Sequence, residues 1–255
     1  MTRAWLILAD ILVHLLLLFS LILFYTLPLL EQNISKEDHM ATKSSMRKDN
    51  LIDVNLEERL ILLSAKVGDP IFIRIFKEES LLEVWIRSGA EYQHLIDYYI
   101  CAYSGYLGPK LQEGDRQSPE GFYKVKKYQL NPNSKYHLSF NLGFPNRYDR
   151  EHNRTGSFLM VHGNCVSDGC YAMTDEKIEE IYALVEGALQ KGQKYVQVHA
   201  YPFRMTDANM ALYSDSEWYD FWVNLKDGYD YFEAEKLPPH VQVEEKQYII
   251  YEANE

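Results

Sequence analysis

The stretch that decides the reading is Val161-His162-Gly163-Asn164-Cys165-Val166-Ser167-Asp168-Gly169-Cys170-Tyr171-Ala172-Met173. An apolar, strand-like run, Ser157–Val161, leads into His162. At the far end Cys170 follows a glycine and stands four residues before Thr174. Thr174 with Asp175 and Glu176 marks a helix start: a hydroxyl to accept an orphan backbone N–H, then acids that complement the helix dipole. If the strand end and the helix entry are neighbours, the imidazole reaches the sulfur. Such a pair generates a thiolate for attack on a carbonyl and returns the proton to the leaving amine. Gly169 lets a substrate approach closely, and backbone N–H groups beside Cys170 can face a developing oxyanion. Gly163 leaves its own carbonyl, or a neighbour's, to orient the imidazole without a carboxylate.

Taken singly, a cysteine is more often a small buried hydrophobe and a histidine a satisfied core residue. Their occurrence together, among glycines and just before a capped helix, favours catalysis. The competing chemistry is metal: His162, Cys165 and Cys170 with His199 offer a two-cysteine, two-histidine zinc set. That spacing matches no common ligand pattern, and the zinc-deaminase signature is absent, so no metal or other cofactor is expected. Papain-like peptidases place cysteine before histidine, the reverse of this chain.

Outward from the stretch the pattern is mainly β with packed helices, an α+β class. Ile71, Ile73 and Ile75 alternate with Phe72, Arg74 and Phe76, and Leu82, Val84 and Ile86 with Glu83, Trp85 and Arg87. Lys77–Ser80 suits the turn between them. Tyr92–Tyr103, Phe122–Tyr128 and Tyr195–Tyr201 read as further strands, and Gly105–Gly121, with four Gly and two Pro, as a loop system. Ile178, Ile181, Tyr182, Val185 and Leu189 recur at helical spacing until Gly192. Asp215–Glu233 is a second helix, with Trp218, Phe221, Trp222, Leu225, Tyr229 and Phe232 on one face, and Gln247–Tyr251 a last strand. Residues 56–213 form the catalytic domain. Residues 214–255, an aromatic helix and an acidic strand, pack on it or extend it.

The first 55 residues are of another kind. In Ala4–Leu30 only Asp10, His14, Ser20, Thr26 and Pro28 fall outside the hydrophobic set. The run from Ile11 to Leu30 is long enough to cross roughly 30 Å of hydrocarbon. A cleaved signal would have a shorter apolar region and a small-residue site, whereas Glu-Gln-Asn-Ile-Ser follows here. Arg3 places the N-terminus in the cytoplasm. The expectation is an uncleaved inner-membrane anchor (residues 4–30) and a polar tether (31–55). Everything from Glu31 onward is then exported to the periplasmic face, with a soluble form after cleavage as the alternative. The net charge of −11 argues against nucleic acid. Residues 101–170 are nonetheless locally basic, with nine Lys/Arg against six Asp/Glu.

His162-Gly163, Ser167-x-Gly169-Cys170 and Ser118-Pro119-Glu120-Gly121-Phe122-Tyr123 resemble the L,D-transpeptidase, or YkuD, catalytic domain. Phe144-Pro145-Asn146-Arg147-Tyr148-Asp149, His152-Asn153-Arg154-Thr155-Gly156, Gly169–Asp175 and Tyr201-Pro202-Phe203-Arg204-Met205-Thr206 resemble its YafK-type murein branch. The similarity runs from about Asp69 to at least Met210. It implies a β-sandwich-like periplasmic domain acting on peptidoglycan stem peptides, with Cys170 as nucleophile and His162 as proton acceptor and donor. The thioester forms at the L-centre of diaminopimelate. An amine then takes it, in cross-linking or lipoprotein attachment, or water does, releasing a peptidoglycan-linked outer-membrane lipoprotein. A reading of another class is a non-catalytic cell-wall binding module.

Two departures bear on the substrate. Common members have a longer histidine-to-cysteine loop and an arginine two positions after the cysteine, where this chain has Ala172. The substrate carboxylate is then held elsewhere. Arg154 is the candidate clamp, with Arg147 and Arg204 behind it, and Tyr148, Ser167, Tyr171 and Tyr201 line the cleft or simply pack. In the oxidising compartment that the resemblance implies, a Cys165–Cys170 bond would destroy the nucleophile. A Cys101–Cys165 bond would spare it and staple two loops, but connectivity stays open on sequence alone.

Overall fold

Alternation along a single strand sets the layering. In the computed structural model, which describes residues 55–252, Ile71–Phe76 is buried on both faces. The elements, in order, are α1 (Leu56–Leu62), β1 (Ile71–Phe76), β2 (Leu81–Ser88), β3 (Glu91–Tyr99), β4 (Ala102–Tyr103), β5 (Gly121–Val125), β6 (Leu130–Ser134), β7 (His137–Asn141), α2 (Arg147–Glu151), β8 (Met160–His162) and β9 (Tyr171–Ala172). Then follow α3 (Asp175–Gln190), β10 (Val196–Tyr201), α4 (Asp207–Leu212), α5 (Tyr219–Glu235), β11 (His240–Glu244) and β12 (Gln247–Tyr251). The apolar block at 4–30 and the tether, up to residue 54, lie outside the described residues. Among the described residues no helix is long and apolar enough to cross a membrane.

Two five-stranded sheets and a hairpin result. One sheet runs β3-β2-β1-β10-β5, the other β4-β9-β8-β7-β6, and β11 pairs with β12. The molecule is a mixed α+β structure, mainly sheet with several helices. Ile71, Ile73 and Ile75 enter a core shared with Phe140 and Val161 of the second sheet and with Ile178, Ile181 and Val185 of α3. Phe72, Arg74 and Phe76 turn the other way, towards α5, where Phe72 lies 4.7 Å from Phe232. Both faces of β1 are thus removed from water, each large apolar side chain contributing about 1.5–3 kcal/mol. Gly228 permits the close approach of α5 to β5, since a Cβ there would meet the Phe122 ring at 2.7 Å.

Several elements differ from expectation. The aromatic helix begins at Tyr219, not Asp215, because Ser216 spends the preceding residues in a turn, its hydroxyl accepting from the Trp218 N–H at 3.2 Å. The strand expected through Tyr128 ends at Val125 and gives way to a short 3-10 turn, Lys127–Gln129. β6 and β7 escape sequence reading. β6 is an edge strand that is mostly exposed and contains Pro132, so no buried face alternates along it.

Candidate active site

β8 and β9 carry the chemistry. They are parallel neighbours, with Val161 opposite Tyr171 and His162 opposite Ala172. Parallel neighbours usually need a crossover of about a dozen residues or more. Here 163–170 alone makes the return, and it does so by adopting left-handed backbone at Asn164 (φ 69°), Cys165 (φ 46°) and Gly169 (φ 110°). Asn and Gly tolerate this region, whereas cysteine seldom enters it. The turn is held by a Cys101–Cys165 disulfide, by the Asn164 N–H on Asp175 Oδ1 (2.8 Å) and by the Cys165 N–H on the Met173 carbonyl (3.2 Å). Cys170 is the free cysteine.

The thiol of Cys170 faces the backbone of β8 and its lead-in. Its Sγ lies 3.6 Å from the Phe158 carbonyl, and the Met160 N–H donates to it. His162 is two residues beyond Met160 on the same strand, about 7 Å along it. Its Nδ1–H donates to the carbonyl of Gly163 at 2.6 Å, and Tyr136 stacks on the ring at 4.6 Å. With Nδ1 so engaged, Nε2 is the nitrogen left for proton transfer, and it has no hydrogen-bond partner among the described residues. Burial lowers the imidazole's pKa, against the raising effect of the Gly163 carbonyl. Burial pushes the Cys170 thiol up, with the Asp168 carboxylate adding to it, while the Met160 N–H and Lys110 pull it down. At neutral pH Cys170 therefore rests as a thiol and His162 as a neutral imidazole.

The loop 104–120 backs Cys170. Ser118 Oγ donates to the Cys170 carbonyl at 3.0 Å, and so does Ser167 Oγ at 2.8 Å. Ser167 also meets Ser104 Oγ at 2.7 Å and accepts from the Gly169 N–H at 3.3 Å. The Tyr171 hydroxyl donates to the Pro119 carbonyl at 2.7 Å. The loop is in turn tied to the core by a fully buried ion pair. Lys77 Nζ donates to Glu120 Oε1 (3.0 Å) and to the carbonyls of Tyr106, Gly108 and Ser118. Glu120 also accepts from the Gly108 N–H (2.7 Å) and Trp222 Nε1 (2.8 Å).

The residues expected to hold substrate are placed elsewhere or otherwise engaged. Arg154 is buried, paired with Asp149 at 3.0 Å and sandwiched near the rings of Tyr148 and Phe221. Its guanidinium satisfies a buried carboxylate and is not a free clamp. Arg204 bonds Glu83 and lies over Phe76, on the α5 side of the first sheet. Arg147 is exposed and paired with Glu151 at 2.9 Å. Tyr148 is buried in a stack with Tyr248 (4.2 Å), and Tyr171 and Tyr201 are fully buried. Ser167 is at the site but bonded within its own loop. The zinc set is not assembled: Cys165 is in the disulfide, and His199 is buried between Phe72 and Phe122.

Two other cations lie near the Cys170 loop, Arg116 and Lys110. A cavity of about 640 Å³ opens beside the nucleophile's loop, lined by Ser104, Tyr106, Arg116, Gln117, Ser167 and Asp168 among others. Arg116 is exposed, with one long contact to Asp168 at 3.4 Å. Lys110, bonded to Asp115 (2.5 Å) and the Gln112 carbonyl, is a buried cation that acts on the thiol. Gly156 makes room for it, since a Cβ there would meet Lys110 Cε at 2.6 Å. The only trace of Lys110 and Arg116 in the sequence is the local basic excess.

Residues 49–198 match the L,D-transpeptidase catalytic domain, YkuD. The chain is 54% identical over 184 residues to the Escherichia coli K12 protein named "Putative L,D-transpeptidase YafK", covering 72% of this chain and 75% of that one. The O157:H7 strain has a counterpart with the same figures. Among solved structures, the helical cell shape determining protein Pgp2 of Campylobacter jejuni (K307A mutant) aligns with a TM-score of 0.43 and 20% identity, over 70% of this chain and 67% of that one. Bd1075 of Bdellovibrio bacteriovorus gives 0.42 and 16%, over 72% and 80%. The chain thus belongs to the L,D-transpeptidase family defined by the YkuD catalytic domain.

Proposed function

We propose that Cys170 performs acyl transfer on peptidoglycan stem peptides through a thioester at the L-centre of diaminopimelate. The supporting observation is the Cys170 sulfur held against the Met160 N–H, with a neutral, Nδ1-anchored His162 two residues further along β8. His162 Nε2 takes the thiol proton as sulfur attacks the carbonyl carbon. The C–N bond then breaks, and the imidazolium gives that proton to the departing amine. An incoming amine or water attacks the thioester, loses a proton to Nε2, and the thiol is restored. The cavity beside Ser167 takes the stem, and Arg116 is the cation at hand for its carboxylate in place of the arginine missing at Ala172.

Two fates of the thioester remain in play, and one observation favours water. The return loop 163–170 is short and stapled, and the neighbouring Phe158 side chain is 70% exposed. The side beside Phe158 is the one from which water would reach the thioester, the Cys170 thiol itself being partly buried. Hydrolytic release of a peptide-linked lipoprotein is accordingly the second reading. Incubating purified protein with lipoprotein-bearing and with bare sacculi, followed by mass spectrometry of the products, separates the two. New cross-links indicate transpeptidation, and freed lipoprotein with stems left ending in diaminopimelate indicates hydrolysis. Failure of Cys170 to form an adduct with a thiol-reactive carbapenem would instead leave a non-catalytic wall-binding module. The disulfide is supporting ground for an oxidising compartment. With the apolar block, it favours anchoring at the periplasmic face of the inner membrane. Protease digestion of intact spheroplasts tests this: the domain should be cleaved from outside.

A further inference from the structure

A second concavity of about 760 Å³ lies apart from Cys170 and His162, between β5, the segment 141–150 and the hairpin β11–β12. Lys124, Lys126, Arg147, Arg150 and His240 line it, and among the described residues no Asp or Glu does. In a chain of net charge −11 that is a strong local inversion. Arg147 has a partner, Glu151 at 2.9 Å. Arg150 donates only to a backbone carbonyl, that of Pro145. Lys124 is half-buried and makes a cation–π contact with Tyr195 at 4.7 Å, but no ion pair among the described residues. Burial and, after it, Lys126 hold its ammonium below the ordinary lysine value, the condition of a cation lacking its counter-charge. One wall, with His240, Val243 and Tyr248, comes from the hairpin, beyond the 49–198 stretch that matches the catalytic domain.

The position of the cavity limits what fills it. Asn141, on its rim, pairs across β7–β8 with Met160, whose N–H faces the Cys170 sulfur. Two strand spacings make that roughly 10 Å, about the span of three extended residues. A peptide whose carbonyl sits at Cys170 is long enough to reach it.

We propose that this basic cavity is an anchoring subsite for a carboxylate-bearing peptide, a stem of the same polymer that Cys170 acts on. The inference rests on the acyl-transfer reading above for the identity of the peptide. Carboxylates are held by Lys124 and Arg150, with Lys126 and His240 at the edge.

The test uses the full-length chain in detergent, carrying Cys170→Ala so that nothing turns over. It is titrated with a soluble muropeptide bearing free carboxylates and with the same muropeptide after its carboxyls are amidated. Amidation, or Lys124→Gln with Arg150→Gln, should each weaken binding about tenfold. Carbodiimide coupling of the acidic probe should map to Lys124 or Lys126. Equal affinity for both probes, with coupling mapped only elsewhere, overturns the subsite. The amidation arm needs no variant, so a folding defect in the double substitution cannot stand in for an answer. Carbapenem acylation of Cys170 in the unsubstituted chain is run in parallel. If acylation occurs and the subsite test fails, only the subsite is lost. If acylation fails and Lys124 couples, the subsite stands and the catalytic reading falls.

Discussion

The two segments that meet at Cys170 are built on different terms. Residues 161–175 put the proposed nucleophile and base, the carbonyl that anchors the imidazole and a loop-tying carboxylate within one stretch: Cys170, His162, Gly163 and Asp175. Residues 104–120 come to it from elsewhere in the chain: Ser104 and Ser118 bond to its loop, Lys110 acts on the thiol, Arg116 lines the cavity beside it, and Lys77 with Glu120 ties the segment to the core. The first segment acts through adjacency along the chain, so its purpose is written in residue order. The second acts through bonds between residues far apart, and its composition says only that it is a loop.

Breaking the first segment should abolish rate while sparing the fold. His162→Gln removes the proton acceptor and is expected to lower turnover on muropeptide substrates about 10²- to 10⁴-fold, with the unfolding midpoint little changed. Breaking the second should do the reverse. Lys77→Met strands Glu120 as a buried unpaired charge, at a cost of about 3–5 kcal/mol read from urea unfolding. Replacing both, Lys77→Met with Glu120→Leu, should recover little of that loss, because the carbonyls of Tyr106, Gly108 and Ser118 and the N–H groups of Gly108 and Trp222 are then left without their partners. Ser118→Ala joins the two segments and should act between these limits. Loss of the hydrogen bonds to the Cys170 carbonyl and from the Ser104 N–H, about 1 kcal/mol each, should lower kcat several-fold with KM nearly constant.

The pH dependence sharpens the same contrast. His162 must be neutral to accept the thiol proton, and burial lowers its pKa below 6.5. Activity should therefore fall only when pH drops through that lowered value, and stay level across neutral pH. Direct alkylation of the Cys170 thiol in the His162→Gln protein should behave differently, climbing steadily with pH through the neutral range with no plateau there, because burial raises the thiol's own pKa. The smallest effect is expected at the cleft cation. Arg116→Gln should raise KM a few-fold, whereas Arg154→Met should leave KM alone and destabilise the fold by exposing Asp149's need for a partner.

Much of the architecture was legible because it rests on local periodicity. The alternation of Ile71–Phe76, the Thr174 cap and the aromatic face of α5 are each visible without tertiary knowledge, and each is present. The placing of Cys170 and His162 on the two neighbouring strands β9 and β8 and their lead-ins was legible for the same reason of adjacency. Substrate-holding residues were not. Arg154 looks like a clamp because it stands close before the catalytic strand, yet it is buried against Asp149 and the rings of Tyr148 and Phe221. Arg116 and Lys110 carry no marker beyond charge, since nothing local distinguishes a loop cation that folds back to a thiol from one left in water. Asp175 reads as a helix-start acid, and its second task, bonding the Asn164 N–H, appears only once the return loop is folded.

Trapping the acyl-enzyme is the most direct test of the thioester at Cys170. The purified protein is quenched in acid during turnover of a tetrapeptide muropeptide and then analysed by intact and peptide mass spectrometry. The expected result is a hydroxylamine-labile acyl adduct on Cys170, absent from Cys170→Ala along with product. Product formation undiminished in Cys170→Ala, with no adduct on the parent protein, would contradict the account.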